Sequence, residues 1–501
     1  PNVVIDHGAL DVRVTQAGLS STGRFALNGA PMDVTWHEKF HDHSGFSTDF
    51  AVKTTLDDEA RAGLGFDTGT YVTGPVGVDM KIKGEGRKLR QLSGKLDFAP
   101  SAVDLGEYSF SKRSGAPTMV ALNIAISEAG DISVKSATAT GKGVAIEGKA
   151  ELAKDGKLIS ANFPHLKLEG VADASANVSR QNSNGLAVRV SGAFLNIAPI
   201  LKDALDENDT IGKVPWRIDA NLDSVVLRGG VNARNFKATL ASTGPHLSVV
   251  DVHGQFAKSG DFSASLIDST DNQRSLVIAS NDAGQLVKGA TGIDSVLGGR
   301  LALHASLAAG DTALAPSAEL PPTMPNAPHK QNGVSGTLKI DDFRVVNAPI
   351  LAKLLTVGSL QGISDLLSGE GIQFTHLEVP FWYDKGKLGV DGRASGPAIG
   401  LTMQGIVDRK QKLTELNGTI VPAYTLNSVF GKVPVLGQLL VSRPGEGIFA
   451  FTYNIAGTTN DPQVTVNPLS ALAPGFLRRL FQLGETQAGA LGLQDEGQTA
   501  Q

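Results

Sequence analysis

The chain has 501 residues, 41% hydrophobic, 19% charged and 6% aromatic, with 58 glycines, no cysteine and a net charge of −5. That apolar content suffices for a core and excludes a chain disordered throughout. The absent basic field and scarce aromatics exclude nucleic acid as a partner, and the missing thiols exclude disulfides, thiolate zinc sites and a cysteine nucleophile. The sequence begins at Pro1 with no charged-then-apolar leader, so the natural N-terminus and any membrane anchor are expected upstream. No run of about 20 uncharged apolar residues spans a bilayer.

Taken in chain order, period-two alternation dominates. His37-Glu38-Lys39-Phe40-His41 matches the zinc-protease pattern H-E-x-x-H, whose chemistry needs a helix to put both histidines on one face. The flanks, Asp33-Val34-Thr35-Trp36 and Asp42-His43-Ser44-Gly45, read as strand and turn. On a strand the two histidines stand about 13 Å apart, at ~3.3 Å per residue, too far to share an ion. At most, His41 and His43 share a face on which a metal binds adventitiously. Val78, Met80 and Ile82 then alternate with Asp79 and Lys81, and Trp216, Ile218, Ala220 and Leu222 with Arg217, Asp219 and Asn221. Lys83–Gly86, Asn182–Gly185, Arg228–Gly230 and Asp384–Lys387 read as hairpin turns of an antiparallel meander. One face of each strand is apolar and the other polar, as in a sheet covered on one side.

Helical spacing is rare. Ile350, Leu351, Leu354, Leu355, Leu366 and Leu367 predict a helix within 349–367, opened by Pro349. Short helical turns are expected within 425–441, and Leu472, Phe476 and Leu480 share one face of a helix near the end. Residues 312–332, with five prolines, read as a linker or insertion, and 484–501 as a disordered tail. Leu195-Asn196-Ile197-Ala198-Pro199-Ile200-Leu201 echoes Val346-Asn347-Ala348-Pro349-Ile350-Leu351, a strand feeding a proline-started helix twice.

No catalytic constellation follows. Gly141-Lys142-Gly143 lacks the Ser or Thr of a phosphate loop, and Gly333-Val334-Ser335-Gly336 has the wrong spacing for a nucleophile elbow. Asp57-Asp58 and Asp341-Asp342 mark strand ends. The sequence predicts no enzyme, no metal site and no cofactor. Its inward positions are mostly Ala, Val, Ile and Leu. A long sheet with one apolar face must close on itself, stack, or stay open for an apolar ligand.

Residues 334–481 resemble the C-terminal domain of the AsmA-like family, the group of YhdP and TamB type. The resemblance is carried by Asp342-Phe343-Arg344-Val345-Val346-Asn347-Ala348-Pro349, Gly371-Ile372-Gln373-Phe374, Asp391-Gly392-Arg393-Ala394-Ser395-Gly396-Pro397, Gly418-Thr419-Ile420-Val421-Pro422-Ala423-Tyr424 and Asn467-Pro468-Leu469-Ser470-Ala471-Leu472. Upstream it rests on Asp33–Glu38 and Leu195–Leu201. It implies a mainly β fold, an elongated, twisted antiparallel sheet curled into an open apolar groove (taco-like), with a few short helices near the C-terminus. It implies domains at 1–311 (groove region), 312–332 (linker), 333–483 (AsmA-like C-terminal domain) and 484–501 (tail). It also implies a periplasmic protein anchored in the inner membrane, carrying phospholipid to the outer membrane. The alternative is a scaffold for outer-membrane protein assembly. Alternation places Phe343, Val345, Leu377, Val379, Phe381, Leu388, Val390, Leu401, Met403, Phe449, Phe451, Val464 and Val466 on the lipid face. The helix of Leu472, Phe476 and Leu480 is then assigned to a membrane, a partner or the groove's own end.

Overall fold

The computed structural model describes residues 4–41, 46–86, 88–108, 110–181, 185–206, 214–244, 247–256, 260–268, 274–307, 333–357, 370–422, 450–459 and 461–467. The protein is mainly β, 70% strand and 9% helix, with a large, twisted, open sheet of 25 strands and few short helices. The chain forms two compact units, Pro1–Ala204 with Thr210–Ala257, and Leu205–Asp209 with Lys258–Gln501.

The first unit holds β1 (Ile5–Val14), β2 (Gly18–Leu27), β3 (Ala30–Lys39), β4 (Thr48–Leu56), α1 (Asp58–Gly63), β5 (Val72–Thr73), β6 (Val76–Glu85), β7 (Lys88–Asp97), β8 (Ala102–Leu105), β9 (Phe110–Lys112), β10 (Thr118–Ile126), β11 (Ile132–Gly141), β12 (Val144–Leu152), β13 (Leu158–Leu168), β14 (Ala172–Arg180), β15 (Leu186–Asn196), α2 (Ala198–Asp206), β16 (Trp216–Val226), β17 (Asn232–Ser242) and β18 (Leu247–Phe256). Each main strand pairs antiparallel with the next along the chain, except that β15 and β16 run parallel. That pair corrects the expectation of an unbroken antiparallel meander. A crossover returns the chain to the same end of the sheet, and α2 supplies it, as parallel neighbours require. The strands β5, β8 and β9 form a small separate sheet. Two buried cations hold it. The Lys112 ammonium donates to the carbonyls of Phe98 (2.7 Å) and Ser101 (2.6 Å), and Arg61 reaches those of Leu56, Gly74 and Val72.

The second unit holds β19 (Asp261–Asp268), β20 (Arg274–Ser280), α3 (Ala283–Thr291), β21 (Val296–Leu307), β22 (Val334–Val345), α4 (Pro349–Val357), β23 (Ile372–Asp384), β24 (Lys387–Ser395), β25 (Ile399–Asp408), β26 (Leu413–Pro422), β27 (Phe451–Thr458) and β28 (Asp461–Asn467). All successive pairs are antiparallel. The residues expected as a linker, 312–332, lie outside the described residues, between two strands that pair from Val296–Val345 to Leu307–Val334. The compact units therefore divide near 257, inside the expected groove region.

This unit is curled, and α4 shows why. The helix follows β22, yet its Lys353 reaches Asp461 of β28 at 3.5 Å. Six strand steps of about 4.8 Å would put β28 some 29 Å from β22 in a flat sheet, whereas a nine-residue helix is only about 13 Å long. The sheet must bend around α4. Its apolar face collapses there into a core of Leu301, Ile340, Phe343, Leu354, Leu355, Ile372, Phe374, Ile399 and Ile420. Phe343 and Phe374 stack with centroids 5.3 Å apart. Gly405, at φ +152°, departs from the pleated strand, and a Cβ there would overlap the Glu415 carbonyl oxygen of β26. Bends of this kind are where curled sheets use glycine.

Of the expected helices, only 349–357 is described, as α4. Leu366 and Leu367, the turns within 425–441, the helix of Leu472, Phe476 and Leu480, and the tail 484–501 fall outside the described residues. The helices α1, α2 and α3 lie upstream, so the described short helices are not confined to the C-terminal region. Asp282 opens α3 by accepting from the Gln285 N–H, and Gly292 closes it in the left-handed conformation.

Candidate functional site: a continuous apolar sheet face

Cross-strand partners in a β-ladder share a face, so the registers trace each face strand by strand. In the first unit one line runs through Phe25, Met32, Thr54, Val78, Leu96, Val120, Ala139, Ile146, Leu166, Ala174, Gly192, Leu222 and Phe236, each the partner of the next. Thirteen strands contribute, and Thr54 is the single polar member. In the second unit Leu266, Leu276, Ala305, Gly336, Phe381, Val390, Gly405, Leu416, Ile455 and Val464 form a line across all ten strands with no polar member.

The opposite face is ionic. Arg24, Asp33, Lys53, Asp79 and Lys95 are successive partners of alternating sign, with Arg24–Asp33 at 2.7 Å and Lys53–Asp79 at 3.1 Å. The Arg24 side-chain hydrogen bond holds the Asp33 carboxyl below its ordinary range. In the second unit Lys339, Glu378, Arg393, Thr402, Thr419, Thr452 and Asn467 make the matching polar line. The sheet is amphipathic from strand to strand, the condition for an apolar surface to persist without a second layer.

The apolar faces of the two units differ in packing. In the second unit α3 and α4 cover the end containing Ile340, Phe343 and Phe374, which are at most 4% exposed. Val379, Phe381, Leu388 and Phe451 lie beyond the packed cluster and are only half-buried. From β10 to β15 of the first unit, the fully buried apolar residues are Val144, Ala161 and Ala172, while the rest of the face is half-buried. Among the described residues, β10 to β15 make their main contacts with the strands beside them in the sheet.

The registers also locate the residues assigned to the lipid face. Leu377 leads through Ala394, Leu401 and Ile420 to Phe451. Phe381 pairs with Val390, Tyr383 with Leu388, and Met403 connects through Gly418 and Tyr453 to Val466. Val379 pairs with Leu338, and Val464 with Ile455. All of these share one face. Phe343 and Val345 join it from the packed end, and Phe449 lies outside the described residues. The sequence reading omitted the whole first-unit face, although Val78, Met80 and Ile82 carried the same alternation. It also missed Tyr453, whose hydroxyl donates to the Thr402 carbonyl at 2.7 Å.

Burial pushes the Tyr453 hydroxyl up from 10.0 to about 12. A raised value means that the folded state keeps its proton longer than the unfolded chain does. The associated stability is intact below pH 10 and is lost as pH rises toward 12. The expected loss is about 2–3 kcal/mol, from ~1.4 kcal/mol per unit. Denaturant titrations at pH 9 and pH 12 measure it, and Tyr453→Phe should remove this part of the slope.

His37 and Glu38 lie on strand β3, so the H-E-x-x-H residues do not sit on a helix. Glu38 accepts from the Thr48 hydroxyl (2.6 Å) and from the Trp36 indole N–H (3.3 Å). Among the described residues no group of three or more His, Asp or Glu side chains is placed to hold a metal ion, and no helix is long and apolar enough to cross a membrane.

The fold and this face define a class: an open, amphipathic β-sheet whose apolar side stays largely uncovered along many strands. Compared with protein-family models, curated proteins and solved structures, the chain matches none of them.

Proposed function

We propose that the apolar face is a lipid-carrying trough, along which acyl chains lie while head groups remain in water. The observation that supports this reading most directly is the half-buried, unbroken apolar face from β10 to β15. A sheet meant only to pack would cover such a surface. Burying one methylene contributes about 0.8 kcal/mol, so two acyl chains bind amply, and sliding exchanges similar contacts without a large barrier. In this proposal the half-buried Val379, Phe381, Leu388, Val390, Leu401, Met403, Phe451, Val464 and Val466 line the trough, and Phe343 anchors its packed end. The resemblance to the AsmA-like family suggests the setting: a periplasmic protein, anchored to the inner membrane, moving phospholipid between the membranes without catalysis.

The exposed strand β1 favours a second reading, a scaffold for outer-membrane proteins. Ile5, Leu10, Val12 and Val14 are 46–64% exposed, and among the described residues β1 pairs only with β2. An open edge of this kind can accept a client strand.

Organic-solvent extraction of the purified chain followed by mass spectrometry separates the two. Phospholipid in about stoichiometric amount or more supports the trough. Lipid-free protein whose β1 edge crosslinks to a client strand supports the scaffold.

A further inference from the structure

At the β1 end of the first unit the apolar face carries a carboxylate, Glu38, that pairs with no cation among the described residues. Glu38 follows Trp36 by two residues on β3, so both project from the side that bears Met32 and Val34. Cross-strand partners extend this patch: Val12, Ser21, Trp36 and Phe50 form one line, and Val14, Leu19, Glu38 and Thr48 the next. Glu38 is half-buried, and no lysine, arginine or histidine lies within ion-pair distance of it among the described residues. The hydrogen bonds from Thr48 and Trp36 both end on Oε2, fixing the carboxylate and leaving Oε1 without a partner among the described residues. Trp36 is 37% exposed, and Val12 and Val14 beside it are 50% and 63% exposed. Ser21, the cross-strand partner of Trp36, is 3% exposed, and its Oγ has no hydrogen-bond partner.

An immobilised carboxylate beside an open aromatic ring is the recognition chemistry of an ammonium group. The carboxylate supplies opposite charge, and the ring face supplies cation–π attraction. Val12, Val14, Leu19 and Phe50 flank the pair, so a free amine in water gains less than an ammonium carried on hydrocarbon. We propose that Glu38 and Trp36 form a head-group station selecting lipids with an ammonium-bearing head, with the acyl chains running from Val12 and Phe50 onto the Ile82–Leu92 part of the face. This assignment rests on the trough reading and adds the head-group class to it.

The test loads the full chain from an equimolar mixture of phosphatidylethanolamine and phosphatidylglycerol with identical acyl chains, then extracts and quantifies both lipids. The unsubstituted chain should enrich the ethanolamine lipid roughly fivefold to tenfold, the scale of one exposed cation–π contact with one partly screened ion pair. Glu38→Gln keeps an acceptor for Thr48 and should bring the ratio close to one while total lipid is retained. Trp36→Leu should lower the ratio in the same direction. Bound lipid without head-group preference, a preference surviving Glu38→Gln, or equal loss of both lipids in that variant overturns the station and leaves the trough standing. A chain that holds neither lipid overturns both. In a parallel arm, millimolar ethanolamine alone should leave the Trp36 indole N–H resonance in place. A saturable shift would assign the site to small amines and overturn the lipid assignment.

Discussion

Gly418→Val should leave the second unit unable to fold around its apolar core. A Cβ at 418 would overlap the Thr402 carbonyl oxygen and the Tyr453 ring, which lies across this glycine from β27. Neither neighbour can retreat cheaply. Thr402 belongs to the β25–β26 ladder, where its hydroxyl accepts from the Thr419 N–H at 3.0 Å. Tyr453 is 6% exposed and tied to that same carbonyl by its hydroxyl. Relief requires Tyr453 to leave its site, which abandons a buried aromatic, a hydrogen bond and the packing of Met403 and Val466 together. Large-to-small loss at a buried aromatic costs about 3–5 kcal/mol, and overpacking about 1–3 kcal/mol more. That is comparable to the whole stability of a small domain. The readout is thermal unfolding followed by near-ultraviolet circular dichroism, with Gly392→Ala as the comparison. A Cβ at 392 meets its nearest neighbour, Val379, at 3.4 Å, ordinary contact. Its loss should be small, and an equal loss in both variants would overturn the account.

Val379→Asp should fold and yet lose lipid. Val379 is half-buried, pairs with Leu338 and lies outside the packed cluster, so the core does not depend on it. With the trough empty, the carboxylate faces water at little cost. When an acyl chain lies over it, the charge must be desolvated, which costs on the order of 2–3 kcal/mol even with partial water access. Lipid recovered by extraction should fall about tenfold or more, with an unchanged melting temperature. Ala302→Asp carries the same charge on the opposite face, beside Lys339, and should keep its lipid. If both variants lose lipid alike, net charge and not the face is responsible. If neither does, the acyl chains do not pass Val379.

The sequence by itself determined the class of structure, because period two is a local property. The run Trp216–Leu222 states which side chains share a face before any partner strand is known, and Asp384-Lys385-Gly386-Lys387 states where a hairpin turns. In the structure Lys385 and Gly386 both take positive φ, as such a two-residue turn requires. The same alternation put Leu377, Val379 and Phe381 on one face, and the strand flanks kept the H-E-x-x-H residues off a helix. The helix α3, with its Asp282 cap and closing Gly292, was not read from the sequence, because its short apolar stripe is easily passed over beside strong strand signals.

What only the tertiary structure decided depends on which strand meets which. Nothing local distinguishes β15–β16 as the parallel pair, since the helix between them can return the chain to either end of the sheet. The same proline-started motif leads from α4 to an antiparallel strand. Burial along the apolar face was undecidable in advance for the same reason. Phe343 and Phe381 look alike in sequence, but the curl of β22–β28 around α4 buries the first and leaves the second half-open. The juxtaposition of Glu38, Trp36 and Val12 likewise exists only once three strands are in register. Alternation specifies the face of each strand, and long-range pairing then decides how much of that face stays open.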